Sequence, residues 1–151
     1  MKTIKRLSSL AFMGLLGLTT FSCLNTDDND NIYTTDGFFV GTKIEVNMDS
    51  IQPVGKQTNV HVTFTTNNSC ENFATFRELK ESNDSVKNIG AYGTLTSGNN
   101  CIKETKSVTK TYKFTPKRTG KNTIRVWAGK DVVDPTKDIY IEKILDIKET
   151  K

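Results

Sequence analysis

The sequence predicts an all-β domain, an antiparallel β-sandwich of about seven strands. Three observations point there. The chain beyond its N-terminus is poor in Leu and Ala and rich in Thr, Val, Ile, Phe and Tyr, which suit a pleated, half-buried surface. Short segments alternate apolar and polar residues at period two, the mark of a strand with one buried face. Turn residues separate those segments at the spacing of a sandwich.

The elements follow in order. A first strand surrounds Ile44 and Val46, and Pro53-Val54-Gly55-Lys56 turns the chain after it. Val60, Val62 and Phe64 then alternate with His61, Thr63 and Thr65. Residues 73–79 and 86–92 flank Ser82-Asn83-Asp84 as a hairpin, although ENFATFRELKE also admits a short helix. Residues 96–100 form a Ser/Gly/Asn loop. Val108, Tyr112 and Phe114 oppose Thr109, Thr111 and Lys113, and a Pro/Gly turn covers residues 116–121. Ile124 and Val126 alternate with Arg125 and Trp127. A longer loop, 129–137, contains Pro135, and Ile139 and Ile141 alternate with Tyr140 and Glu142 in a last strand free to fray into a tail.

The first 22 residues have a different chemistry. Lys2, Lys5 and Arg6 precede a mostly apolar run of about a dozen residues, with no acid before Asp27. That is the layout of a secretory signal. A spanning helix needs about twenty apolar residues, so the run is short for a retained anchor. Residues 23–36 carry Asp27, Asp28, Asp30 and Asp36, few apolar residues and no periodicity, and read as a disordered linker. The folded domain is placed at residues 37–151.

Removing the signal changes the charge. The whole chain is +4. Without residues 1–22 it holds 18 basic and 17 acidic residues, and from Gly37 onward 18 against 13. Lys110, Lys113, Lys117, Arg118, Lys121 and Arg125 fall within one short stretch. Such a cluster is either a solvated face or a contact for a sulfated glycan or lipid headgroup. No nucleic-acid module signature is present, and export argues against that partner.

Thr20-Phe21-Ser22-Cys23, at the end of the apolar run, resembles a bacterial lipobox. That resemblance implies cleavage before Cys23 and its lipidation; the other reading is an ordinary signal with an incidental cysteine. Acidic residues just after Cys23 are similar to the surface-export signal of Bacteroidota lipoproteins. They imply an outer-membrane anchor displayed on the cell surface, with the periplasmic face as the alternative. Lys113-Phe114-Thr115-Pro116, then Gly120, then Val126-Trp127, resembles the E–F region of bacterial immunoglobulin-like modules. Asn122 stands where many such modules place a corner-locking tyrosine, so the corner must be held another way. Taken together the chain resembles small Bacteroidota surface lipoproteins with one immunoglobulin-like domain. The resemblance implies a fold and an anchor, and brings no activity with it.

With Cys23 spent on lipid, Cys70 and Cys101 remain. Export and an even count support a disulfide. In an immunoglobulin-like topology they fall in the B–C and D–E loops, at one end of the sandwich. A metal pair or a reactive thiol is the alternative, but His61 is the only histidine.

The sequence offers little for catalysis. His61 lies on the polar side of a strand between threonines, and no phosphate loop, zinc motif or serine elbow appears. The expectation is a non-enzyme without a cofactor. Asp131, Asp134 and Asp138 lie in or beside one loop and offer oxygen ligands to calcium, with Lys130 and Lys137 intruding. Trp127 has the parity opposite Ile124 and Val126, so it either meets a carbohydrate or protein partner or covers the sheet. Trp127, Asp131 and Asp134 are therefore the candidate binding residues. Asp49-Ser50-Ile51 and Asp84-Ser85-Val86 resemble the Bacteroidota O-glycosylation acceptor, making Ser50 and Ser85 candidate sites. The expected role is a lipid-anchored module at the cell envelope that binds a glycan, a protein or an envelope assembly. Recognition is assigned to the Cys70, Cys101 and 129–137 loops. The alternative is an immunoglobulin-like protease inhibitor.

Overall fold

The computed structural model describes residues 32–149. Eight strands form two sheets: β1 (Tyr33–Phe39), β2 (Gly41–Glu45), β3 (Thr58–Asn68), β4 (Asn72–Glu78), β5 (Val86–Ser97), β6 (Lys103–Phe114), β7 (Gly120–Lys130) and β8 (Asp138–Ile147). The smaller sheet is β2-β3-β6. In the larger sheet β5 is central. One of its edges pairs with β4; the other is shared between β1 along Ala91–Ser97 and β7 along Val86–Ile89. β8 closes the far side of β7. The fold is an immunoglobulin-like β-sandwich with one internal departure: β5 and β7 run parallel. A parallel neighbour needs a crossover, and β6 supplies it by visiting the other sheet.

One sequence expectation changes and two open alternatives close. Tyr33–Asp36, assigned to the disordered linker, begin β1 and pair with Thr94–Ser97. Their side chains are exposed, so no buried alternation marks them. Backbone pairing to β5 holds them instead. The strand count rises to eight for this reason. The segment ENFATFRELKE contains β4 and is not helical. The last strand does not fray: β8 pairs with β7 along its length, and Leu145 and Ile147 are buried. A register shift between Trp127 and Gly129 interrupts that ladder, and Ile139, placed beyond it, is exposed. Cys23, the signal and residues 24–31 lie outside the described residues.

The core has two parts. Val60, Val62, Ile89, Phe114, Ile124, Val126, Leu145 and Ile147 fill one end, while Phe39, Phe64 and Ala91 fill the other. A run of rings joins them: Phe39 to Phe64, Phe73, Phe76 and Tyr112, with successive centroids 5.0–5.7 Å apart. Each such pair adds stabilisation beyond its area burial. The described buried residues, both sheets and the disulfide fall within residues 33–147, so this segment carries a core of its own.

The corner before β7 is held by Asn122. Its buried side chain donates from Nδ2 to the carbonyls of Arg118 (3.2 Å) and Gly120 (3.0 Å). Those bonds close the turn in which Gly120 takes a φ of +78°. An amide thus does the work of the absent tyrosine.

Candidate functional site

Trp127 is the starting point. Its outward parity holds: it stands opposite Tyr140 on β8, on the solvent side of the larger sheet. Phe38, from β1, approaches within 6.0 Å of it, ring to ring, and meets Tyr92 edge-on at 5.3 Å. Phe38 can lie this low because residue 90 is glycine: a Cβ there would fall 2.5 Å from the Phe38 ring. The guanidinium of Arg77 covers the Tyr92 ring at 3.3 Å. The outer face therefore carries aromatic residues across β5, β1, β7 and β8.

Phe38, Trp127 and Tyr140 line a depression of about 380 Å³ with Leu79, Lys80, Lys130 and Asp138. All three rings are half-buried. Asp138 is fixed at the rim. Its Oδ1 accepts from the Trp127 indole N–H at 2.7 Å and pairs with Lys130 Nζ at 2.8 Å. These bonds, from Lys130 first and Trp127 second, hold its carboxyl below the usual carboxylate range. Partial burial, helped by the Asp138 charge, pushes the Tyr140 phenol up. At neutral pH the site offers an ionised acceptor beside a neutral hydroxyl. Chemically this is a shelf for the C–H face of a ligand that also carries hydroxyls.

The other candidates go elsewhere. Asp131 does not join Trp127; its Oδ1 accepts from the backbone N–H groups of Val133 (2.8 Å) and Asp134 (2.9 Å). Asp134 Oδ1 accepts from the Thr136 N–H (3.1 Å) and hydroxyl (2.6 Å). These bonds hold both carboxyls below their usual range. Asp131 and Asp134 thus shape the loop, while Asp138 belongs to Trp127. The three acids do not converge on a calcium site, and no metal-holding group occurs among the described residues. The His61 ring meets the Thr111 hydroxyl at 3.2 Å, on the outer face of the smaller sheet.

Cys70 and Cys101 form a disulfide with Cα atoms 5.4 Å apart. It lies just past the last β3–β6 pair, Asn68 with Lys103, where Ser69 also donates to the Ile102 carbonyl. The 129–137 loop leaves β7 in the direction of this end, because β7 runs parallel to β5; its Thr136 and Lys137 border Lys80 and Glu81 of the β4–β5 connection. Ser50 is exposed, with its hydroxyl on the Asn47 carbonyl at 2.8 Å. Ser85 is half-buried, and its oxygen accepts from Arg118 at 2.6 Å.

The basic cluster disperses in three dimensions. Lys110 lines a groove between the sheets, Lys117 pairs with Asp84 at 3.5 Å and Arg125 pairs with Glu142 at 3.2 Å. Lys113 lies opposite Asn59 in the smaller sheet. The run is a cluster in sequence, not one face.

Phe38, Leu79 and Tyr140 were not singled out from sequence as site residues. Strand pairing of Trp127 with Tyr140 was the available signal for one of them. Phe38 carried none, because its strand was not recognised. Compared with known proteins, the chain matches no family model, no curated protein and no solved structure.

Proposed function

We propose that this protein is a non-enzymatic binding module, tethered to the outer membrane through lipid on Cys23, that engages a glycan on its Phe38–Trp127–Tyr140 shelf. The observation that carries the reading is the coupling of Trp127 to Asp138. A half-buried aromatic lining an open depression can stack on the apolar face of a sugar ring, and a fixed carboxylate beside it can accept from sugar hydroxyls. Around the depression Lys130 is neutralised by Asp138 and Lys137 by Asp134, and Glu81 lies near Lys80, which favours a neutral glycan over a polyanion. Surface display would put the shelf within reach of external glycans; a periplasmic anchor would offer envelope glycans instead.

The test is a glycan array probed with residues 32–151 and with the Trp127→Ala variant. Binding to neutral glycans that the variant loses supports the reading. A blank array, or binding the variant retains, removes it. Mass spectrometry of the protein from its own cells tests the tether, which requires acylated Cys23 at the mature N-terminus. The same spectra report whether Ser50 or Ser85 carries a sugar.

A second reading has its own observation. Val132 and Val133 are 94% and 93% exposed on a loop whose backbone Asp131 and Asp134 hold in shape. A preordered apolar tip suits insertion into a cleft, as in a protease inhibitor. A protease panel separates the two readings: inhibition lost on Val132→Asp favours the inhibitor.

A further inference from the structure

The end of the sandwich that bears the disulfide is marked by exposed apolar side chains. Ile32 is 53% exposed, Tyr33 69% and Ile102 68%. They belong to one end of the fold. Tyr33 pairs with Ser97, and Asn68 Nδ2 donates to the Thr96 carbonyl at 2.8 Å, bridging β3 to β5. Asn68 pairs with Lys103, and Ser69 Oγ accepts from the Ile102 N–H at 3.0 Å. The disulfide ties the same two connections together. Large apolar residues exposed at one end suit contact with an apolar partner.

We infer that this end is a bilayer-seating surface: Ile32, Tyr33 and Ile102 dip into the lipid interface while β3 and β5 stand away from it. Where the chain enters the fold supports this occupant. The polypeptide arrives from Cys23 at Ile32, at this end and not at the 116–120 turn opposite. Nine residues, 24–32, separate the anchor from β1 and reach at most about 30 Å. A tether this short gives the end a high effective concentration at the membrane, so a weak contact stays occupied. The chemistry also fits. Tyrosine suits the headgroup level, with its ring in apolar surroundings and its hydroxyl in water. Lys103 and Lys106 extend from the adjoining strand, where long basic side chains can bury their stems and keep their charge wet. Glu71 and Glu104 offset them: Glu104 pairs with Lys106 at 2.8 Å and Glu71 accepts from the Asn67 N–H at 2.6 Å. The contact is therefore chiefly apolar and insensitive to salt.

The inference rests on the tether reading, and its test supplies the tether chemically. Residues 22–151, with Cys70 and Cys101 oxidised, leave Cys23 as the single thiol to couple to maleimide-lipid vesicles of phosphatidylethanolamine and phosphatidylglycerol. Amide hydrogen exchange is then compared with the uncoupled protein. The expected result is exchange slowed about threefold or more in residues 32–36 and 98–103, unchanged in 116–120, and restored by Tyr33→Asp with Ile102→Asp. Both substitutions fall on exposed side chains, so the fold survives them. Unchanged exchange at the disulfide end, slowing at the 116–120 end, or slowing that the double variant retains overturns the proposal. A natural protein without lipid on Cys23 overturns the tether reading separately.

Discussion

The Trp127 indole nitrogen and Asp138 Oδ1 are 2.7 Å apart, so an aromatic surface and a negative charge act as one unit. This predicts a pH profile. The Asp138 carboxyl is held below its ordinary value, so its ionised form outlasts that of a free aspartate as pH falls. A depressed pKa keeps the interaction intact above the unfolded value, about 3.9, and loses it as pH drops through the lower folded value. Glycan binding is therefore level from pH 8 to about 5 and falls only below about 4. Asp138→Asn removes that acid limb and weakens binding about tenfold or more, measured by calorimetry across pH.

The disulfide closes 31 residues of sequence. Chain-entropy arithmetic assigns it about 3–4 kcal/mol, by restricting the unfolded chain. Urea melts of residues 32–151 with and without reductant should differ by that amount. Glycan affinity measured under native conditions should be unchanged, because the shelf lies on other strands.

Asn122→Ala removes two bonds at once and leaves the Arg118 and Gly120 carbonyls without that donor. The expected loss is roughly 2 kcal/mol. The exchange rates of residues 116–121 should rise more than those of the opposite end.

Two glycines carry distinct costs. At Gly93 a Cβ would strike the Asn72 carbonyl, a backbone atom of β4 that cannot turn aside. Gly93→Ala should cost about 3 kcal/mol and separate β4 from β5. At Gly90 the obstacle is the Phe38 ring, which can move. Gly90→Ala should cost roughly 1–2 kcal/mol and weaken glycan binding by tilting Phe38, which the Phe38–Trp127 ring contact reports by NMR.

Much of the fold was legible because burial writes itself as alternation. Val60, Val62 and Phe64 are fully buried, and His61 between Val60 and Val62 is exposed. β1 was not legible: Tyr33–Asp36 bury no side chain, and a strand held by backbone pairing leaves no pattern to read. The parallel β5–β7 pair was not legible either, since alternation fixes which face is buried and not which strand is the neighbour. The site was half legible. Trp127 showed its outward parity, while Phe38 reaches it only through the β1–β5 pairing. Sequence proximity grouped Asp138 with Asp131 and Asp134 as oxygen ligands on offer, without a metal assigned, whereas the β7–β8 ladder turns it toward Trp127.

Trp127 is the single tryptophan of the chain, which makes the shelf directly observable. The measurement is a titration of residues 32–151 with the best neutral glycan from the array, followed by the Trp127 indole N–H resonance and emission. Glycan recognition on this shelf predicts a saturable shift of both signals at one glycan per domain, with the midpoint moved to about tenfold higher glycan or beyond in Asp138→Asn. Saturating glycan binding that leaves the Trp127 signals unmoved would contradict it.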